Sequence, residues 1–268
     1  IQVGDDFRFG ARRAGDFTML KAAEARCGFE VEALTSVTTD GEGETDLNGS
    51  TVTTTGAQTY NDAVILSSDM VLTSTGSGNI TFSSTVNGAF ALTVNTAGVT
   101  TFDGVVGGLE ALTSVTTDVA GSTAINGGTV TTTGFQTYHD VVNLGADTTL
   151  TSTDSGNITF SQTVDGAYSL TVNTAGVTTF LGAVGSTDTL TSLTTDADGS
   201  TDINGGTVTI SGAGQLGSGT YAGNITNGGT FTYSSSAAQT LSGTISGSGN
   251  LTQNGAGTLT VNQGNTSF

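Results

Sequence analysis

The stretch ALTVNTAGVTTF at Ala91–Phe102 decides the fold, because it returns almost unchanged as SLTVNTAGVTTF at Ser169–Phe180. The two copies begin 78 residues apart. A second repeated stretch ends at Asp40, Asp118 and Asp196, which are also separated by 78 residues each. Repetition at a fixed period is typical of proteins in which each unit packs only on its neighbours. The period therefore predicts a repeat architecture for the middle of the chain.

A smaller unit lies inside the 78-residue period. Each unit opens with an apolar residue followed by Thr, and successive units begin 18 or 20 residues apart. The opening apolar residues are Leu34, Val52, Leu72, Leu92, Leu112, Val130, Leu150, Leu170, Leu190 and Val208. The alternating, β-branched character of the units favours strands over helices. We predict an all-β parallel β-solenoid with about 18–20 residues per turn and four turns per repeat. The repeats are 33–110, 111–188 and a partial copy at 189–212, and a different repeat fills 213–268.

The large apolar residues of the 20-residue units are expected to point inward. They are Leu72, Phe82 and Val86, then Leu92, Phe102 and Val106, then Leu150, Phe160 and Val164, then Leu170, Phe180 and Val184. Phe82 should stack on Phe102, and Phe160 on Phe180. In the shorter units we expect Leu47, Ile125 and Ile203 to fill the place of the aromatic ring.

A Thr follows each opening apolar residue and should point outward. The ten residues are Thr35, Thr53, Thr73, Thr93, Thr113, Thr131, Thr151, Thr171, Thr191 and Thr209. Strand alternation predicts that they form one file along the rod. An ice-binding face would require a second regular Thr file two positions later, where only four of ten residues are Thr. Structural cross-strand pairing is the better interpretation.

Charge is distributed unevenly along the chain. The net charge is −18, and all five Lys and Arg residues lie within the first 26 positions. An acidic rod should be repelled by nucleic acid and by anionic membranes. No stretch is long and apolar enough to cross a bilayer. The single cysteine, Cys27, excludes an intramolecular disulfide framework.

Residues 1–32 differ in composition from the rest and match no family recognised from their motifs. Asp16 can cap a helix that runs from Phe17 to Cys27. This segment is predicted to be a cap for the first solenoid turn or a docking arm for another molecule. The candidate docking residues are Arg8, Arg12 and Arg13.

The solenoid sequence contains candidate residues for two kinds of chemistry, calcium binding and catalysis. Asp196, Asp198 and Asp202 have a spacing that can chelate calcium. The second repeat has Ala120 and Ala124 in place of the last two, so solvated turn acids are the preferred interpretation. His139 is the only histidine, and no pair of carboxylates departs from the repeat. The sequence predicts neither an enzyme nor a cofactor site.

The last repeat resembles a known family. Residues Gly223–Val261 contain Gly228–Phe231 (GGTF), Gln239–Gly243 (QTLSG), Ile245–Gly247 (ISG) and Gly255–Thr260 (GAGTLT). This pattern is similar to the autotransporter-associated β-strand repeat of bacterial passenger domains, and the 78-residue repeats more generally resemble filamentous-haemagglutinin-type adhesins. The resemblance implies a right-handed β-helix, secreted or held at the bacterial surface, with no cofactor and no catalytic residue.

Two functions follow as expectations. The first is a structural or adhesive module, a stiff stalk or fibre that meets an unknown surface receptor. The second is a filament subunit that self-associates through the solenoid ends, because a heterologous contact that does not close propagates. A carbohydrate-binding module is a weaker alternative, since exposed aromatic residues are few.

Overall fold

Short parallel strands joined by tight corners account for nearly all of the residues that the structure describes. The computed structural model describes residues 35–196 and 198–262, strand residues Gln2–Val3, Arg8–Phe9, Gly15–Asp16 and Glu32–Ala33, and helical residues Met19, Ala22 and Ala23. The predicted parallel β-solenoid is confirmed. Its strands form three faces, and the chain visits them in the order A, B, C before it returns to A.

Face A is one ten-stranded parallel sheet. Its strands are Thr51–Thr54, Met70–Ser74, Ala91–Thr96, Ser114–Thr117, Gln136–Tyr138, Ile158–Phe160, Val177–Phe180, Ser200–Ile203, Ile225–Asn227 and Ile245–Ser246. Each of the eight inner strands pairs in parallel with the strand one turn earlier and with the strand one turn later. Ten strands on one face mean about ten turns.

Face B begins as a seven-stranded sheet. Its strands are Val37–Thr38, Gln58–Tyr60, Ile80–Phe82, Val99–Phe102, Ser122–Ile125, Val141–Leu144 and Val164–Asp165. Single bridges through Val184 connect it to a three-stranded sheet. The strands of that sheet are Thr207–Ile210, Thr230–Tyr233 and Asn250–Gln253.

Face C consists of three successive sheets. The first contains Glu44–Leu47, Ala63–Leu66 and Val86–Asn87, and bridges through Val106 lead to the second, which contains Thr129–Thr132, Thr148–Ser152, Ser169–Asn173 and Ser192–Thr195. A short 3-10 helix at Gly217–Gly219 precedes the third. That sheet contains Thr220–Tyr221, Gln239–Leu241 and Leu259–Val261.

Two short strand pairs belong to the amino-terminal segment. Gln2–Val3 pairs in parallel with Glu32–Ala33, and Arg8–Phe9 pairs antiparallel with Gly15–Asp16. Met19, Ala22 and Ala23 are helical, whereas the rest of the predicted helix lies outside the described residues.

The turns are longer and less equal than the sequence units. Strand pairing joins Glu44 to Ala63, which is a 19-residue step, but joins Thr201 to Ile225, which is a 24-residue step. The predicted turn length is therefore wrong for most turns, because the prediction took the sequence unit for the turn. One 78-residue repeat contains ten strands and the bridge residue Val106, and these eleven positions on three faces make three and two-thirds turns.

The fractional turn moves each repeat to a new face. Phe82 lies on face B, and Phe160, its equivalent in the next 78-residue repeat, lies on face A. For the same reason the ten outward Thr residues do not form one file: Thr53 lies on face A, Thr131 on face C and Thr209 on face B. A continuous Thr ladder exists instead on face A, through Thr93, Thr116, Thr137, Thr159 and Thr179.

The predicted inward residues of the 20-residue units are buried, as are Leu47, Ile125 and Ile203. The opening residue Val52 is half-buried, and Leu34 lies outside the described residues. Phe82 stacks on Phe102 with ring centroids 5.2 Å apart, and Phe160 stacks on Phe180 at 5.2 Å. Tyr60 extends the first stack. Ile125 lies next to Phe102 and Ile203 lies next to Phe180, as expected, while Leu47 pairs with Leu66. These columns form the core of the rod.

A 20-residue turn would place Leu72 beside Leu92, but these two residues do not pair. Leu72 lies opposite Val94, and Leu92 lies opposite Met70. The register is that of a 22-residue turn, so the strand slides by two positions relative to a 20-residue period. A shift of two keeps each side chain on its own face of the strand, and for that reason the inward set survives the change of register.

Candidate functional site

A shallow groove runs along the corner between faces C and A, where three successive turns meet. Its volume is about 410 Å³, and it is lined by Ala175, Gly176, Val177, Asp198, Gly199, Ser200, Ala222, Gly223 and Asn224. Small residues are required here because a Cβ atom at Gly199 or Gly223 would collide with the backbone carbonyl groups of the preceding turn. The groove thus has a floor of backbone, with one carboxylate and one carboxamide at its sides.

The three predicted calcium ligands lie in and near this corner but do not converge. Asp198 is exposed in the groove, whereas Asp202 lies on a face A strand between Thr179 and Thr226. Asp196 is half-buried. Among the described residues no three His, Cys, Asp or Glu side chains are close enough to hold a metal ion.

Asp196 is instead part of the corner itself. Burial raises the pKa of its carboxyl group, and repulsion from Asp198 adds to that effect. Backbone N–H groups of Gly199 and Thr174 donate to the carboxyl and partly oppose the shift. Asp118, one repeat earlier, accepts a hydrogen bond from the Thr96 N–H at 3.0 Å. These carboxyl groups tie neighbouring turns together.

The sequence analysis missed three buried carboxyl groups, those of Asp62, Asp140 and Asp165. Asp140 is 1% exposed, and its oxygens accept hydrogen bonds from Thr117 Oγ1 at 2.6 Å and from Thr123 Oγ1 at 2.9 and 3.0 Å. Burial raises the pKa of the Asp140 carboxyl, and the two Thr hydroxyls counteract this in part. No Lys or Arg follows Arg26 in the sequence, so the body offers no cation to pair with it.

Asp62 occupies the equivalent place one repeat earlier. Thr45 Oγ1 donates to its Oδ2 at 2.9 Å, but its buried Oδ1 has no hydrogen-bond partner among the described residues. The signal in the sequence was the pair Asn61-Asp62 and its copy His139-Asp140 in the next 78-residue repeat. An acid that recurs in a repeat of apolar and hydroxyl residues is a candidate for a buried position.

His139 and the amino-terminal arginines have no shared site in the described structure. His139 is half-buried at the corner between faces A and B, and its Nδ1 lies 3.1 Å from Ser161 Oγ. Arg8 belongs to the strand Arg8–Phe9, while Arg12 and Arg13 lie outside the described residues. Across residues 35–196 and 198–262, no helix reaches the length and apolarity needed to cross a membrane.

Comparison with known proteins concerns a small share of the chain. Residues 1–45 match the family described as FAD synthetase. The bifunctional riboflavin kinase/FMN adenylyltransferase of Haemophilus influenzae is 56% identical over 32 residues, which are 12% of this chain and 10% of that protein. The enzyme of the same name from Pseudomonas fluorescens is 51% identical over 41 residues, 15% of this chain and 13% of that protein. No solved structure matches.

The amino-terminal segment, whose motifs by themselves indicated no family, thus matches a known family model. The family match ends at residue 45, inside the first solenoid turn. The chain spans only about a tenth of the length of the curated relatives that it matches. These similarities describe a short segment and leave the function of the solenoid to be argued from its own geometry.

Proposed function

We propose that the protein is a non-enzymatic structural or adhesive module, a stiff β-helical stalk or fibre of the bacterial surface. The observation that carries this proposal is the continuity of the stack. Face A pairs strand by strand from Thr51–Thr54 to Ile245–Ser246 without a gap. A repeat array in which each turn contacts only its neighbours gains length without changing its cross-section. Length and stiffness are then the function.

The outer surface supports a passive role. The ladder Thr93, Thr116, Thr137, Thr159 and Thr179 presents half-exposed hydroxyl groups. Thr side chains pair well across strands and need no partner to be stable. The acidic charge of the body, without Lys or Arg after residue 26, favours a well-solvated rod that avoids nucleic acid and anionic membranes. A surface location, an unknown receptor and the absence of a cofactor belong to the same proposal.

A second candidate is a filament subunit that self-associates through the strand edges of the last described turn. Asn250–Gln253 and Leu259–Val261 each pair with one neighbouring strand and have no described strand on their other side. Such an edge can template another chain. However, no charged side chain follows Asp202, so arginines 8, 12 and 13 have no charged side chain near this end to guide docking. Charge steering thus favours the first candidate.

Carbohydrate binding is a weaker candidate for the groove. Sugar sites commonly offer an aromatic face for stacking. Among the residues that line the groove none is aromatic. Asp198 and Asn224 can bond hydroxyl groups, but they leave a free sugar without an apolar platform.

Electron microscopy of the purified chain tests the proposal. Isolated short rods are expected from a stalk module, with ten turns at about 4.8 Å giving a length near 50 Å. Long uniform fibres would support the filament instead. Globular particles would contradict both.

Deletion of residues 1–32 separates the two roles of the amino-terminal segment. If the segment is a cap, its loss exposes the strand edge of the first turn, and association measured by light scattering increases. If it is a docking arm, fibres disappear. A variant in which Arg8, Arg12 and Arg13 are changed to Gln keeps the segment and removes only its charge. Fibres that persist in that variant would show that charge does not drive assembly.

A further inference from the structure

Three Asn-Ile-Thr triplets each begin at a corner of the solenoid and run into a strand, the first on face B and the other two on face A. They begin at Asn79, Asn157 and Asn224, and in each the Asn is an exposed corner residue just before a strand. The following Ile is buried in the core, and the Thr points outward. Asn79 and Asn157 are repeat equivalents, but Asn224 belongs to the other repeat type. The same arrangement has therefore arisen in two different repeats.

The carboxamide of each Asn uses only its oxygen within the described structure. Asn157 Oδ1 accepts the Val177 N–H at 3.0 Å, and Asn224 Oδ1 accepts the Thr244 N–H at 3.0 Å. Asn79 does the same with the Val99 N–H at 2.9 Å. The Nδ2 atom of each residue makes no hydrogen bond to the described part of the chain. The nitrogen is thus free at the surface, while the oxygen holds the side chain in place.

Asn157 and Asn224 stand in one column at the corner between faces C and A. The register places Asn157 beside Val177, Val177 beside Ser200 and Ser200 beside Asn224. They are three turns apart, about 14–15 Å along the rod. The groove described above lies between them, and Asn224 and Val177 are part of its lining.

We propose that Asn157 and Asn224 are acceptor sites for N-linked glycosylation, and that the groove holds the sugar attached at Asn224. The Asn-X-Ser/Thr triplet is the acceptor pattern for this modification in surface segments of secreted proteins. Asn48, Asn250 and Asn265 also begin this pattern. Asn48 and Asn250 do not line the groove, and Asn265 lies outside the described residues. The donor is a sugar joined through its anomeric carbon to a diphosphate. A bond forms between Nδ2 and the anomeric carbon, the bond from that carbon to the phosphate oxygen breaks, the phosphate leaves with the electron pair, and Nδ2 loses a proton.

The local geometry accommodates the product. Modification at Nδ2 retains Oδ1, so the hydrogen bonds from Val177 and Thr244 survive. Alanine and glycine at 175, 176, 199, 222 and 223 leave a groove of about 410 Å³ beside Asn224. The exposed Asp198 carboxylate can accept hydrogen bonds from sugar hydroxyl groups. The inference needs exposure to a glycosyltransferase but not a particular role of the rod, so its failure would leave the stalk proposal intact.

The test uses the full chain and measures site occupancy by peptide mass spectrometry. In one arm the folded protein is incubated with UDP-glucose and a soluble transferase specific for Asn-X-Ser/Thr. In the other arm it is exported from cells that hold a lipid-linked diphosphate oligosaccharide and its membrane transferase. Occupancy in the first arm identifies a nucleotide-linked donor, and occupancy in the second a lipid-linked donor. No sugar at Asn157 or Asn224 in either arm overturns the proposal.

Variants distinguish modification that the Asn-X-Ser/Thr pattern specifies from modification of any exposed Asn side chain. Thr226→Ala should abolish the sugar at Asn224 and leave Asn157 modified, whereas Thr226→Ser should retain both. Thr226 is exposed, so the fold should persist, as thermal denaturation can verify. Asn143 is an exposed Asn in an Asn-Leu-Gly sequence and should stay unmodified. Sugar on Asn143, or an unchanged Asn224 in Thr226→Ala, contradicts the assignment.

The role of the groove has its own variant. Ala222→Phe places a large ring in the groove and leaves the triplet intact. Occupancy at Asn224 should fall severalfold in the folded protein and recover when the chain is modified in the unfolded state. If sugar occupancy at Asn224 is the same in folded Ala222→Phe as in the folded protein that retains Ala222, the assignment of the groove to the sugar is overturned.

Discussion

Thr93 lies opposite Thr116 on face A, so the chain between them makes a 23-residue turn of the solenoid. Thr113, which a 20-residue turn would place beside Thr93, is three positions away along the neighbouring strand. The extra residues are accommodated at corners, where the chain changes face without changing the stack. The register is therefore set by corner length rather than by the spacing of similar sequences.

Cysteine pairs test this register. In a Cys27→Ser background, Thr93→Cys with Thr116→Cys should form a disulfide under mild oxidation, because directly opposed residues satisfy the Cα separation that a disulfide requires. Thr93→Cys with Thr113→Cys should not, since a shift of three residues adds about 10 Å along the strand. Non-reducing electrophoresis distinguishes the two. The reverse result would restore the 20-residue turn.

The aromatic columns predict where truncation costs most. Phe102 is 1% exposed, with its ring 5.2 Å from that of Phe82, and Ile125 lies on its other side. Phe102→Ala should lower the free energy of unfolding by about 3–5 kcal/mol because it leaves a cavity in the column. Thr93→Ala, on the outer ladder, should cost less than about 1 kcal/mol. Denaturant titration measures both, and equal costs would contradict the inward and outward assignment.

Corner glycines give a sharper local test. Gly121 has φ +79°, and a Cβ atom there would collide with the Gly98 carbonyl oxygen of the previous turn. Gly121→Ala should destabilise the protein by about 1–3 kcal/mol because the strain has no flexible side chain to absorb it. Gly49→Ala is the matched control, since nothing lies within 4 Å of its Cβ position. A neutral Gly121→Ala would mean that this corner is looser than described.

Asp140 predicts an unusual pH dependence. Burial raises the pKa of the folded-state carboxyl above its ordinary value of 3.8, so the folded protein binds the proton more tightly than the unfolded chain. The stability due to this group is then fully present below about pH 3.8 and is lost as pH rises through the folded-state pKa. Asp140→Asn does not titrate. The Asp140→Asn variant should therefore become more stable, relative to the protein that retains Asp140, as pH increases.

Asp147 provides a control of opposite sign. The Ser169 N–H donates to Asp147 Oδ1 at 2.9 Å and lowers the pKa of this exposed carboxyl. The stability that the Asp147 carboxylate contributes is present above the ordinary pKa of the carboxyl group and is lost as pH falls. Asp147→Asn should thus be less stable at neutral pH and equal in acid. Urea titrations between about pH 3 and pH 8 compare the variants, and parallel pH profiles would contradict both assignments.

The sequence by itself determined the fold class and the inward residues. Strand alternation has a period of two, so Phe82, Phe102 and Val106 had to lie on the inner side of any stacked turn. It also determined the excess of acid in the body, since Arg26 is the last basic residue. These features depend on local pattern and composition, which the sequence displays directly.

Only the tertiary structure decided which residues meet. Whether Leu72 lies opposite Leu92 or Val94 depends on how many residues each corner takes up. Because the corner lengths were not known from the sequence, the rotation of each repeat by a third of a turn could not be predicted. For the same reason the sequence did not reveal the groove between Asn157 and Asn224, which lie far apart in the sequence but in one column. Strand pairing in a solenoid is a contact between distant residues, and the sum of the corner lengths, rather than the sequence period, determines which ones become neighbours.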